Sequence, residues 1–248
     1  METMNINMGD FGNSQKRQMP IVLLLDASDS MKIERRIDAL NRGVRGLFTT
    51  LAKTRTSAVE FYVAVIVFKD KEAYIHQEYK PLRDMQWTDI QESGCTPLAS
   101  ALHKAKDIIE DTSKLSTKSY RPTVILISDG YPTDDDSEWQ EEMRRFTKEG
   151  RSAKADRFAL SVTGAAKDVL KQFVVNEKSH MMDVEDVSMI IEFMRWLSQS
   201  ISQASTSQDP NKKSKIDDLT EEVHKQAQEP DPDFGNIDIN SINFEALM

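Results

Sequence analysis

A single cysteine, Cys95, stands in 248 residues, which excludes an internal disulfide framework and fits a reducing compartment. Basic residues are in the minority. Lys and Arg number 32 against 41 Asp and Glu, a net charge of −9, with a sequence pI of ≈ 5.1. That balance argues against general nucleic-acid binding, which calls for a basic surface. No uninterrupted apolar run approaches the length of a membrane span. Residues 1–18 are polar and lack the apolar stretch of a secretory signal. The expectation is a soluble cytoplasmic protein. No phosphate loop of the form G-x-x-x-x-G-K occurs, and no nucleophile is seen with an adjacent base. His76, His103, His180 and His224 share no ligand spacing.

What is present reads as one α/β domain between a polar arm, residues 1–18, and an acidic tail. The hydrophobic share of 39% suffices for a core. Strands and helices alternate from residue 19 to about 204. Ile21-Val22-Leu23-Leu24-Leu25 is a continuous apolar run, the mark of a strand buried on both faces. A helix follows, with Ile37, Leu40, Val44, Leu47, Phe48 and Leu51 at helical spacing. Residues 59–68 are β-branched and aromatic, a second strand. A third, residues 72–79, is joined by so short a turn that it must run antiparallel. Pro97 suits a helix first turn, with Thr96 as its N-cap. Further strands are predicted at 123–127, 158–162 and 180–184, and helices at 137–148, 166–174 and 187–201. The alternation predicts a Rossmann-like, doubly wound, mainly parallel six-stranded sheet with helices on both faces. Its expected order is 3-2-1-4-5-6, with strand 3 as the antiparallel edge.

The first strand runs into Asp26-Ala27-Ser28-Asp29-Ser30. A carboxylate and two hydroxyls at alternating positions past a strand can converge on one point. Such hard oxygen donors suit Mg²⁺. In an open α/β sheet, ligands gather beyond the carboxyl ends of strands where the order reverses. For this order the crevice lies between strands 1 and 4. Asp26 ends strand 1, Asp129 follows strand 4, and Thr96 begins a helix on the same edge. The plainer reading of Asp26 is a cap for the next helix.

Asp26, Ser28, Ser30, Thr96 and Asp129 match the metal-ion-dependent adhesion site (MIDAS) pattern, and residues 19–204 resemble the von Willebrand factor A family. The resemblance implies that Ser28, Ser30 and Thr96 contact the metal directly or through water. Asp26 and Asp129 would act mainly through water and hydroxyls. One coordination position would stay open for a partner's Asp or Glu carboxylate. The implied cofactor is Mg²⁺, with Mn²⁺ or Ca²⁺ as alternatives. Within the family, residues 20–31, 94–98 and 128–134 look most like bacterial tellurium-resistance Y-type stand-alone proteins. That likeness implies a stress-response or phage-defence setting, with a protein kinase and a PP2C-type phosphatase as partners. Asp29 and Cys95 stand where the family commonly has glycine; Asp29 is expected to point outward and Cys95 to act as a small structural residue.

A Mg²⁺-dependent phosphotransfer enzyme on a similar sheet is the alternative. Haloacid-dehalogenase-type chemistry needs a second Asp two residues after the first as acid and base, and here that residue is Ser28. A non-enzymatic binding module is favoured.

Trp87 and Asp134 are candidate partner contacts. Trp87 alternatively packs on the sheet edge, and Asp134 alternatively belongs to a solvated helix cap. Residues 205–248 hold ten acidic and four basic residues with three prolines, the composition of a solvated linker. Its end is apolar: Phe234, Ile237, Ile239, Ile242, Phe244 and Leu247 form a segment suited to dock on a partner or on its own domain. Asp238 or Glu245 from this segment is a candidate to fill the open metal position.

Overall fold

The computed structural model describes residues 16–163, 167–174, 180–211 and 218–243. Six strands form one sheet: β1 (Arg17–Asp26), β2 (Val59–Lys69), β3 (Glu72–Pro81), β4 (Thr123–Ser128), β5 (Asp156–Val162) and β6 (Met181–Val184). The order is β3-β2-β1-β4-β5-β6. Only the β2–β3 pair is antiparallel, as the short connection requires. Asp70 makes that turn at φ 56. The helices are α1 (Arg36–Lys53), α2 (Leu98–Glu110), α3 (Asp136–Lys148), α4 (Lys167–Phe173), α5 (Ser188–Thr206) and α6 (Leu219–Ala227). No described helix is long and apolar enough to cross a membrane.

β1 explains why its sequence has no alternation. Ile21, Leu23 and Leu25 point into the core shared with α1 and α5, while Val22 and Leu24 point into the core under α2 and α3. All five are fully buried. Each stabilises the fold by roughly 1.5–3 kcal/mol relative to an exposed position. The central strand is thereby fixed in register with both β2 and β4. Its last residue, Asp26, therefore has a fixed place.

The acidic tail differs from its linker-like composition. α5 runs on to Thr206, and α6 packs against it. Asp218 caps α6, its carboxylate accepting the N–H groups of Thr220 and Glu221. Leu219 and Val223 lie on the buried side of α6, and Trp196 Nε1 donates to Glu222 at 3.0 Å. One apolar stripe of two residues is enough to seat a short capped helix. Composition averaged over the tail concealed it.

The apolar end of the tail, as far as it is described, packs on its own domain rather than waiting for a partner. Phe234 and Ile239 are buried in the α1–α5 core, with Ile242 packed against it. Ile237 is exposed. Phe244, Leu247 and Glu245 lie outside the described residues. Gly46 makes room for Phe234, since a Cβ there would sit 2.2 Å from the ring. Arg42 donates to the carbonyls of Phe234 and Pro232 at 2.9 and 2.7 Å, and Arg45 to that of Gly235 at 3.1 Å. Asn240 pairs with Trp87 through both backbone groups, at 2.8 and 2.9 Å. Asp238 accepts the N–H of Asn240 at 2.9 Å and caps the turn Ile239–Ser241, so its carboxylate is engaged there. Trp87 itself is buried, edge-on to Phe48 and His76. That packing replaces the reading of Trp87, Phe234 and Ile239 as partner contacts.

Gly46→Val is expected to expel the Phe234 ring and free this strap. Hydrogen exchange should then show amides of 232–242 losing protection while those of β1 keep theirs. Uniform loss across the chain, or no change, would contradict the seating described.

Candidate metal centre

The carboxyl ends of β1 and β4 lie side by side, with Leu25 paired to Ile127. Helices leave this edge toward opposite faces of the sheet, opening the crevice expected at such a switch. Asp26 is completely buried there. Its Oδ1 accepts the Ser28 N–H at 2.9 Å, and its Oδ2 accepts the Ser128 hydroxyl at 2.6 Å. These bonds bend the chain back over the strand end rather than capping α1. The Ser28 and Ser30 hydroxyls are 2.9 Å apart, and Ser30 Oγ donates to Asp129 Oδ1 at 2.6 Å.

Thr96 arrives on a third loop. That loop is sewn to the others by backbone bonds: Ser93 N–H to Ala27 O at 2.8 Å, Asp29 N–H to Gly94 O at 3.0 Å, and Asp70 N–H to Ser93 O at 3.2 Å. Gly94 sits at φ 66, and a Cβ there would meet Asp70 Cα at 2.7 Å. Only glycine serves both the dihedral and the contact. Thr96 is buried, and its backbone exchanges bonds with Thr133, giving 3.0 Å to the Thr133 hydroxyl and 3.0 Å from the Thr133 N–H. A point one bond above Gly130 Cα is 3.4 Å from Thr96 Oγ1 and 4.0 Å from Ser30 Oγ. All five side chains singled out in the sequence thus face one small region.

Thr96 is not the N-cap of α2, because the helix begins at Leu98 and Pro97 holds the cap position without a side-chain bond. Asp134 takes over that role from another loop, its Oδ2 accepting the Ala99 N–H at 3.0 Å. Burial pushes the Asp134 carboxyl above its ordinary range. That contact with Ala99 makes the half-buried Asp134 a cap of α2 rather than of the helix that follows it. Cys95 is exposed, not packed as a small apolar residue. Asp29 is exposed and paired with Lys32 at 2.6 Å.

Two further residues at the site belong to no ligand pattern in the sequence. Ser128 is the hydroxyl that holds Asp26; the Ser-Asp-Gly ending of β4 was its only signal. Arg36 Nη1 lies 2.6 Å from Asp129 Oδ2, with side chains 7% and 0% exposed. Arg36 opens α1 directly after Glu34 and Arg35, both left-handed at φ 52 and 59. Arg36 Nε is buried without a hydrogen-bond partner among the described residues.

The two carboxylates are therefore unequal. Asp129 has a guanidinium. Asp26 has the Ser128 hydroxyl, the Ser28 amide N–H and the nearby Ser28 hydroxyl, and no described cation pairs with it. Burial is the main reason that its carboxyl rises to about 6, against the lowering effect of those bonds. No described cluster holds three or more His, Cys, Asp or Glu in metal-binding proximity. The donor set is two carboxylates and three hydroxyls, all hard oxygens, and it fits a cation such as Mg²⁺ or Mn²⁺ rather than a thiolate-seeking metal. Of the exposed large apolar side chains, Ile33 and Tyr131 stand on two of these loops, beyond Ser30 and Asp129.

A family model for the von Willebrand factor type A domain matches residues 21–195. Among solved structures, the chain is similar to a von Willebrand factor type A structure from Catenulispora acidiphila. The TM-score is 0.57 at 14% identity, covering 76% of this chain and 43% of that one. It is similar to the pilus adhesin SpaC from Lactobacillus rhamnosus GG in its open conformation, with TM-score 0.58, 14% identity and coverage of 77% and 31%. It is also similar to proximal thread matrix protein 1 from the mussel byssus with a zinc-occupied MIDAS motif. There the TM-score is 0.53 at 14% identity, with coverage of 74% and 48%. The chain spans less than half the length of each of these structures, and at such identities the likeness is one of fold. No curated protein sequence matches. With its sheet order and a family match over most of its length, the chain belongs to the von Willebrand factor type A domain family.

Proposed function

We propose that Asp26, Ser28, Ser30, Thr96 and Asp129 hold a divalent cation, Mg²⁺ in the first instance, through which the protein binds a carboxylate of a protein partner. The carrying observation is Asp26: a fully buried carboxylate, among hydroxyls, with no cationic side chain on it among the described residues. An isolated buried charge is costly unless paired or coordinated. A cation at the Ser28–Ser30–Thr96 hydroxyls would supply the missing charge. The family supports a binding role, and the zinc in the byssus protein's MIDAS motif supports a divalent ion in this fold. The work is done by binding alone. The residues fix the ion's place, and the exposed Ile33 and Tyr131 flank the approach with apolar surface.

The finer reading concerns setting. The resemblance of residues 20–31, 94–98 and 128–134 to tellurium-resistance Y-type proteins supports a cytoplasmic stress-response or phage-defence complex, with a protein kinase and a PP2C-type phosphatase as partners. An exposed, unpaired Cys95 accords with a reducing compartment.

Asp26→Asn is expected to abolish Mn²⁺ binding in calorimetric titration while leaving the metal-free protein as stable or more so. The sign follows from linkage. A carboxyl whose folded pKa lies above its unfolded value favours folding when protonated, and that advantage fades as pH rises through about 6. At neutral pH the ionised group costs roughly 3 kcal/mol, which the amide removes. A lower melting temperature for the metal-free variant would count against this account of Asp26.

Metal affinity should also depend on pH. The cation needs Asp26 ionised, so below about 6 a proton competes and the apparent affinity falls about tenfold per pH unit. Affinity independent of pH between neutrality and mild acid would remove Asp26 from the ligand set.

For the partner, purified kinase and phosphatase from the same cells should be retained by the immobilised full chain with Mg²⁺. Both should be released by EDTA and not retained by Ser28→Ala. Retention unaffected by either treatment would place the contact elsewhere.

A further inference from the structure

We propose that Arg36 is a built-in counter-charge that makes loading of the cation depend on an anionic partner. This rests on the metal-site reading above and adds to it a coupling between metal and ligand.

The observation is a guanidinium already inside the site. Arg36 Nη1 is 2.6 Å from Asp129 Oδ2, and both side chains are withdrawn from water. Two ionised carboxylates and one guanidinium leave a net charge of −1, and a divalent cation turns it to +1. Without Arg36, the same cation would neutralise the two carboxylates. A buried surplus charge is poorly solvated and calls for an opposite charge. A partner carboxylate supplies it. The empty site therefore attracts the cation less than a two-carboxylate site would. The loaded site in turn attracts an anion more. Metal and partner each raise the other's affinity by the same factor, as linkage demands.

Two further features separate Arg36 from an ordinary structural arginine. The backbone before it is bent through consecutive left-handed residues, Glu34 and Arg35, neither of them glycine. Such conformations are disfavoured and persist where the surroundings hold them. They end the turn Asp29–Arg35 and start α1 at Arg36 itself. In addition, Arg36 Nε is buried with no partner among the described residues. A structural buried arginine normally has its donors satisfied. The Asp129 bond is what this side chain is placed to make.

The test uses the full chain and free Mn²⁺ measured by electron paramagnetic resonance at neutral pH. Wild type, Arg36→Lys and Arg36→Gln are titrated in sodium chloride and in sodium acetate of equal ionic strength. In chloride, Arg36→Gln should bind Mn²⁺ about tenfold more tightly than wild type, while Arg36→Lys, which keeps the charge, stays close to wild type. Acetate should tighten Mn²⁺ binding by wild type and Arg36→Lys, and do so less for Arg36→Gln. The inference is overturned if Arg36→Gln binds no more tightly than wild type. It is equally overturned if Arg36→Lys behaves like Arg36→Gln, or if acetate leaves wild type unchanged. Should Arg36→Gln be unfolded without metal, circular dichroism replaces the affinity reading. Recovery of the fold on adding Mn²⁺ then supports the counter-charge role, and failure to recover overturns it. If wild type itself binds no Mn²⁺, the metal-site reading falls first, a result distinct from binding indifferent to Arg36.

Discussion

Two carboxylates held out of water at the end of neighbouring parallel strands set the terms for everything around them. Left alone, Asp26 and Asp129 would repel each other, and burial holds the Asp26 carboxyl above its usual range. The surrounding structure answers each differently. Asp129 receives a guanidinium and the Ser30 hydroxyl, while Asp26 receives the Ser128 hydroxyl and the Ser28 amide. The first pair is nearly self-sufficient, and the second is incomplete in charge. That asymmetry is what the proposed metal site rests on, because a carboxylate that burial keeps from ionising freely is one that a cation can relieve.

The sheet earns its place in this account by rigidity rather than shape. β1 is packed on both faces, and the loops beyond β1 and β2 and ahead of α2 are joined by backbone bonds rather than by side chains alone. Hydroxyl ligands contribute little binding energy individually. Their value depends on being held in place before the ion arrives. The bonds from Ser93 to Ala27 and from Asp29 to Gly94 hold the Thr96 loop against the Ser28–Ser30 loop without using any candidate ligand side chain.

Much of this was legible in the sequence, for identifiable reasons. Short apolar runs with no alternation, set between helical stretches, suit doubly covered parallel strands, and parallel strands bring the carboxylates after 21–25 and 123–127 to one edge. The antiparallel β3 followed from the shortness of its turn. What escaped notice depended on local geometry that residue types do not encode. Whether Arg36 enters the site or solvent turns on two left-handed residues before it, and both are ordinary side chains, Glu34 and Arg35. Thr96 looked like a cap because threonine often is one; a carboxylate arriving from residue 134 took the position instead. α6 was lost in the average of an acidic tail, although Asp218, Leu219, Glu221 and Val223 carry a cap and a short apolar stripe. The apolar residues near the tail's end announced a docking segment, but not that Gly46 left a space shaped for Phe234.

Cys95 stands on the rim, exposed, one residue before Thr96, and it is the sole thiol in the chain. A maleimide dye or nitroxide would therefore attach at a single position without any engineering of the sequence. Its emission or line shape would report directly on the loop that carries Thr96, turning an oddity of this rim into a native spectroscopic handle.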